Sequence, residues 1–408
     1  MQIFDELKER GQIAQMTDED EIRDLINNGK ATFYIGFDPT ADSLHIGHYV
    51  TLCLMKRLQQ AGNRPIALVG GGTGMVGDPS HRTELRSVLT EATIDDYCAS
   101  IRRQMEKFLD FGDDKGIFVN NAEWLRELKY VDILRDVGSH FSVNRMLQAE
   151  CYKQRMEKGL SFLEFNYMIM QSYDYFTLYQ RYGCNLQLGG DDQWSNLLAG
   201  TDLIRRKLGK NVYAMTIQLL LNTNGVKMGK TEKGALWLSP DRTSPFDFYQ
   251  YFRNVADADV INYLKILTFL PLSEIKEMEK WEGSQLNEAK EILATQMTTM
   301  IHGSEEAEKA RQGAKTLFTG GSDNIDEVPA TVLADEDFCN GEIDIITLLV
   351  SGGLVNTRSE GRRVIEQGGV IAAESKVTDT KQLFKREDFA AEGILIRRGK
   401  KNFRMFRL

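Results

Sequence analysis

Residues 31 to 70 restrict the possible folds more than any other stretch of the chain. "ATFYIGF" reads as a strand, "GHYVTLCLMKRLQQA" has a helical period that stops at Gly62, and "PIALVG" is a second buried strand. Two strands joined through a helix run parallel, because a tight turn can return only an antiparallel strand. The unit therefore predicts an α/β domain with a Rossmann-like parallel sheet, whose ligands gather at the carboxyl ends of the strands. Alternation along the first strand puts Tyr34, Gly36 and Asp38 on one face.

Helical patterns follow in "TIDDYCASIRRQMEKFLDFG" and "SFLEFNYMIMQSYDYFTLYQRYG", then a strand in "CNLQLGG" and another helix in "DDQWSNLLAGTDLIRRKLG". Beyond Pro245 helical segments succeed one another with no strand signal. A Gly- and acid-rich stretch, "TGGSDNIDEVPATVLADEDFCNGE", reads as a linker, and the last segment mixes a helix with short strands. The expected organisation is a catalytic α/β domain over 1–235, an α-helical domain over 236–320, a linker over 321–340 and a small α+β domain over 341–408. The net charge of −9 speaks against nucleic acid, but it is uneven. Residues 341–408 hold 13 basic and 9 acidic side chains, and the closing "RRGKKNFRMFRL" has six basic groups and no acid. A polyanion-binding tail and a merely solvated one fit that charge equally well. The N-terminus lacks an apolar signal region, no run is long enough to span a bilayer, and the five cysteines form no C-x-x-C. A cytoplasmic protein without disulfides or membrane association is expected.

Two glycine motifs invite a nucleotide reading. Gly72 to Gly77 spell G-x-G-x-x-G, but they follow the second strand, run into Asp78-Pro79-Ser80, and lack a later strand ending in an acid. The glycines are expected instead to bring backbone close to a substrate and to present Asp78. "GVKMGKT" at 225–231 is one residue too short between glycines for a phosphate-binding P-loop. Lys227, Lys230 and Thr231 nevertheless suit phosphate binding by a mobile loop. His45 and His48 stand three apart at a helix start, where the backbone already favours an anion. A chance pair or half of a metal site are the other readings, and no third ligand lies in register, so no protein-held metal is expected. Tyr167, Gln171 and Asp174 share one helix face. That face is either a hydrated exterior or, with Tyr34 and Asp78, one wall of a pocket for an amino acid.

"YIGFDPTADSLHIGH", "GGGTGMVGDPS", "YMIMQSYDY", "LQLGGDDQW" and "KMGKT", in that order, resemble the blocks of the bacterial-type tyrosyl-tRNA synthetases, a branch of class I aminoacyl-tRNA synthetases. "NTRSEGRRVIEQGGV" resembles that family's C-terminal RNA-binding domain. The resemblance implies activation of L-tyrosine by ATP and transfer to tRNA, with Mg²⁺ carried on the ATP phosphates, no organic cofactor, and a homodimer. It implies that Tyr34 and Asp174 bind the phenol, that Asp78, Tyr167 and Gln171 hold the α-ammonium, and that Gln187 lies nearby. It implies Gly36, Asp38, Thr40, Asp192 and Gln193 at the nucleotide, and His45, His48, Lys227, Lys230 and Thr231 at the phosphates. Arg82 and Arg86 would reach the pyrophosphate. The chain departs from the class pattern at Gly229 and Thr231, and at Asp191, where serines are commoner. The readings that compete are a synthetase-like RNA binder without catalysis, the tryptophan activity on the same fold, and a nucleotidyltransferase that uses no tRNA.

Overall fold

The parallel pair expected from residues 31 to 70 is the centre of a six-stranded sheet with strand order β1-β6-β5-β2-β3-β4. The strands are β1 (Ile13–Met16), β2 (Thr32–Phe37), β3 (Arg64–Val69), β4 (Ile117–Asn120), β5 (Leu186–Gly190) and β6 (Tyr213–Ile217). Tyr34 stands opposite Ile66 on β3 and opposite Gln187 on β5, and every neighbouring pair is parallel except β1 with β6. From β2 the chain builds outward through β3 and β4, then returns to add β5 and β6 on the other side. The direction of winding thus reverses between β2 and β5, the place where α/β sheets open a crevice. The computed structural model describes residues 1–80, 89–112, 114–231, 234–319, 330–373, 375–390, 393–399 and 402–408, with side chains 154, 158, 230, 231 and 316–319 left aside.

The helix Ile46–Gln60 makes the β2–β3 crossover and starts at His45, whose ring accepts the Gly47 N–H. Its Tyr49, Cys53 and Arg57 fall on one buried stripe. Tyr49 Oη donates to the Leu267 carbonyl at 3.1 Å, and Arg57 donates to the carbonyls of Ile266 and Thr268. These carbonyls close the helix Asp257–Leu267, where a cation meets the negative end of the helix dipole. Behind the sheet, Ile66, Leu68, Val119, Tyr175, Phe176 and Leu203 join one apolar cluster.

The segment expected to be one helix from Ser161 onward is two. Ser161 and Glu164 form a capping box on a single turn, Phe162–Phe165, and the long helix Tyr167–Tyr182 begins after Asn166. β1, β4 and β6 had no clear sequence signal; the first two are only four residues long.

The chain forms two compact units, one of Met1–Ser239 with Ile261–Lys280 and one of Pro240–Val260 with Trp281–Leu408. In the second unit the helices Pro245–Arg253, Gln285–His302 and Ser304–Thr319 pack on one another. Its C-terminal part carries the helix Arg358–Glu366 and a five-stranded sheet over a core that includes Ile345, Leu348, Ile396 and Phe406. Among the described residues no helix is long and apolar enough to cross a membrane, and all five cysteines are free.

Candidate active site

A cavity of about 630 Å³ opens at the carboxyl ends of β2 and β5. Its lining includes Tyr34, Gly36, Asp38, His45, His48, Asp78, Tyr167, Gln171, Asp174, Gln187, Asp192, Gln193 and Lys227. The structure therefore brings together residues scattered over nearly two hundred positions. Thr40 does not line this cavity; it is exposed beyond Asp38, and its N–H donates to the Asp38 carbonyl at 2.9 Å. Arg82 and Arg86 lie outside the described residues. Lys230 and Thr231 are described as backbone only, in the short strand β7 (Lys230–Thr231) that pairs with β8 (Gly234–Ala235).

Among the buried polar groups of the lining are Tyr34 and Asp174, 2% exposed each. Trp124 Nε1 donates to Asp174 Oδ1 at 2.7 Å and Asn121 Nδ2 donates to Oδ2 at 2.9 Å. Burial raises the Asp174 pKa to about 7, although these two donors pull it down. Burial also pushes the Tyr34 phenol well up, and the Asp174 charge adds to that. Tyr34 Oη has no hydrogen-bond partner among the described residues, nor have Gln171 Oε1 and Gln187 Oε1. Buried polar atoms without partners are costly and rare. Three of them around one cavity mark a place shaped for a polar guest.

Asn121 and Trp124 escaped the sequence reading. The available signal was an Asn-Asn pair at the carboxyl end of an apolar run, "GIFVNNAEW". Asn121 extends the contact outward: its Nδ2 also donates to Thr73 Oγ1 at 3.0 Å, and its Oδ1 accepts the Gly72 N–H at 2.7 Å. Thr73 Oγ1 donates to Asp38 Oδ1 at 2.8 Å, and Tyr167 Oη donates to Asp38 Oδ2 at 3.1 Å. One continuous network thus runs from Asp174 to Tyr167.

The glycine loop has a packing origin. A Cβ on Gly70 would stand 2.3 Å from Asp38 Oδ1, and one on Gly71 would stand 2.3 Å from Asn120 Oδ1. The loop ends at Asp78, whose Oδ1 accepts the Ser80 N–H at 2.9 Å and whose Oδ2 accepts Gln193 Nε2 at 2.7 Å. Buried Asn196 sets that glutamine, donating from Nδ2 to Gln193 Oε1 at 3.1 Å. Asp191 faces elsewhere, accepting from Gln15 and Thr216.

At the start of the crossover helix the rings of His45 and His48 stack at 3.8 Å. His45 Nδ1 accepts the Gly47 N–H, and His48 Nδ1 accepts the His45 N–H at 3.2 Å. With both Nδ1 atoms acting as acceptors, each ring carries its proton on Nε2. Burial lowers the pKa of His45 and lowers that of His48 strongly, so the pair is neutral and stacks without charge repulsion. Lys227 Nζ lies 3.5 Å from Asp192 Oδ2. The arrangement offers N–H donors and an ammonium to an anion, and among the described residues no group of three His, Cys, Asp or Glu is placed to hold a metal ion.

Residues 26–319 match the model of the class I tRNA synthetases for W and Y, and residues 322–406 match that of the Tyrosine--tRNA ligase SYY-like C-terminal domain. The chain is 53% identical to the Tyrosine--tRNA ligase of Clostridium botulinum strain Hall over 401 residues, covering 98% of each. Its structure is similar to a C-terminally truncated mitochondrial tyrosyl-tRNA synthetase of Aspergillus nidulans, with TM-score 0.69 at 29% identity, over 78% of this chain and 94% of the other. A tryptophanyl-tRNA synthetase of Encephalitozoon cuniculi bound to tryptophan shares the fold, with TM-score 0.56 at 16% identity, over 79% and 89%.

Proposed function

The chain belongs to the class I tRNA synthetases that serve tryptophan and tyrosine, and it is an enzyme that ligates tyrosine to tRNA; from that premise we propose how its residues divide the work. The tyrosine side chain enters the deep end of the cavity, where its hydroxyl meets Tyr34 Oη and Asp174. The observation that carries this reading is the buried Tyr34 Oη, without a partner among the described residues, beside a carboxylate held by Asn121 and Trp124. Asp78, Tyr167 and Gln171 receive the α-ammonium, with Gln187 closing the pocket. Gly36 leaves open backbone, and Asp38, Thr40, Asp192 and Gln193 serve the nucleotide. A substrate lacking the hydroxyl leaves Tyr34 and Asp174 unpaired, which is the physical source of selectivity against phenylalanine.

The tyrosine carboxylate is already ionised at neutral pH, so attack on the ATP α-phosphorus needs no general base. As the new C–O–P link forms, the bond to the β-phosphate oxygen breaks and pyrophosphate leaves. His45 and His48 donate from Nε2 to the phosphates, and Lys227, Lys230 and Thr231 follow the charge that develops on the leaving group. The terminal ribose hydroxyl of tRNA then attacks the tyrosyl carbonyl and AMP leaves. Mg²⁺, bound through the ATP phosphates, would neutralise part of their charge; the donor groups at this end of the cavity fit phosphate oxygens rather than a bare cation. Arg82 and Arg86 are proposed at the pyrophosphate from their place in the sequence.

We further propose that the helices near residues 130–163 meet a second copy of the chain. Tyr130, Val131, Val143, Phe162 and Leu163 are exposed there at 51 to 69%, an apolar surface that a homodimer would cover. The C-terminal part, with exposed Arg362 and Arg363 and its basic ending, is assigned to tRNA, and the helical segment near 236–320 to the anticodon end. The free cysteines suit a reducing cytoplasm. ATP–pyrophosphate exchange without tRNA, run separately with tyrosine, phenylalanine and tryptophan, tests the pocket assignment. Exchange with tyrosine alone is expected; equal exchange with phenylalanine would remove the role given to Tyr34 and Asp174.

A further inference from the structure

Gly229 stands where the class signature prefers serine, and the reaction as described makes no use of it. Its φ is +82°, and its carbonyl accepts the Leu236 N–H at 2.8 Å. The Leu236 carbonyl accepts the Ile46 N–H at 2.9 Å, and His45 is bridged to Trp237. Ile46 is the first residue of the crossover helix and lies between the two imidazoles in sequence, 2% exposed at the edge of the cavity. A Cβ at position 229 would stand 2.0 Å from Ile46 Cγ2. Carbon atoms rest at about 3.5 to 4 Å, so a side chain would displace the loop by roughly 1.5 Å. The colliding methyl sits on the β-branch of an isoleucine that is 2% exposed, and such a side chain has no flexible reach by which to swing aside.

We propose that Gly229 is a positioning residue, and that its bare backbone lets the lysine-bearing loop seat on Ile46 and so fixes Lys227 and the start of β7 against His45 and His48. The two signatures fit as a pair through positions 46 and 229. This rests on the assignment of that end of the cavity to the ATP phosphates. The serine of the class pattern does not fit here for two separate reasons, the positive φ and the collision with Ile46.

A double-mutant cycle separates these reasons, because the backbone strain at 229 is common to both backgrounds and cancels. Exchange by the unaltered full chain with tyrosine first tests the ATP assignment by itself. Gly229→Ala is then expected to lower the rate of tyrosyl-adenylate formation roughly tenfold to hundredfold, as misplacement on the ångström scale does. Tyrosine affinity measured without ATP should stay within about twofold, since the pocket for the amino acid keeps its contacts. In the Ile46→Ala background the further loss from Gly229→Ala should shrink to a few-fold. Equal losses in the two backgrounds, or no loss in either, would overturn the proposal. A second measurement does not need catalysis: limited trypsin cleavage after Lys227 should quicken in Gly229→Ala and return toward the original rate in the double variant. Unchanged cleavage in Gly229→Ala would also count against the seat.

Discussion

Replacing Asp174 by asparagine exposes what its carboxylate costs the fold. Burial holds the folded pKa at about 7 against an ordinary 3.8. Between those values the folded chain keeps a proton that the unfolded chain has released, so stability falls as pH rises through this window, and the fall is complete above about pH 7. The climb from 3.8 to about 7 corresponds to about 4 kcal/mol lost at pH 8, of which roughly 3 kcal/mol accrues between pH 5 and pH 8. Asp174→Asn removes the titration. Its amide group, however, must face two donors, Trp124 Nε1 and Asn121 Nδ2, and can accept from only one. That mismatch costs about 1 to 2 kcal/mol at every pH. The variant should therefore be about 2 to 3 kcal/mol more stable than the original chain at pH 8 and nearly equal at pH 5. Urea unfolding of both proteins without ligand, followed by tryptophan fluorescence at pH 5, 6, 7 and 8, measures the difference. All other titrating groups are common to the pair and drop out. A gap between the variants that ignores pH, or one that closes as pH rises, would refute the argument. The same substitution should abolish detectable exchange with tyrosine, so that the group which weakens the fold is the one that reads the substrate.

Three further outcomes follow from the contacts around the cavity. Trp124→Phe removes a 2.7 Å donor to Asp174 and should reduce kcat/KM for tyrosine by roughly tenfold in the exchange assay; an unchanged value would show that Asn121 alone suffices. Asn196→Asp withdraws the donor that orients Gln193, turning the glutamine oxygen toward Asp78, and is expected to raise KM for tyrosine several-fold while leaving the tyrosine-to-phenylalanine ratio intact. Because burial lowers the pKa of both His45 and His48, the single-turnover rate of adenylate formation should be level from neutral pH upward and decline only below the ordinary histidine range; a limb centred near 6.5 would mean that the rings titrate as if exposed.

Much of the site was legible because its residues sit on periodic elements. Alternation along β2 isolates Tyr34, Gly36 and Asp38, and helical spacing aligns Tyr167, Gln171 and Asp174; each pattern is local and survives without knowledge of the fold. The reason for the glycines at 70 and 71 was not legible, since the atoms that exclude a side chain belong to Asp38 and Asn120, more than thirty positions away in either direction. The same holds for Asn121 and Trp124, whose importance arises from β4 lying beside β3. Four-residue strands such as β4 carry too short an alternation to announce themselves. The break after Asn166 was hidden for a different reason: a capping box inside an apolar helical pattern is locally compatible with a continuous helix.

The hydrogen-bonded path from Asp174 through Asn121 and Thr73 to Asp38 and Tyr167 bears on how such an enzyme can be given a new amino acid. A library that varies only the residues around the phenol removes one acceptor of Asn121 and leaves its amide to Gly72 and Thr73 alone, with less to resist rotation. Its rotation releases Thr73, and with it the orientation of Asp38 at the other end of the guest. Broader side-chain acceptance would then arrive together with slower activation, and the two traits would look like an unavoidable trade. Randomising position 121 alongside 34 and 174 gives selection a way to rebuild the link, so that recoded variants need not be sluggish ones.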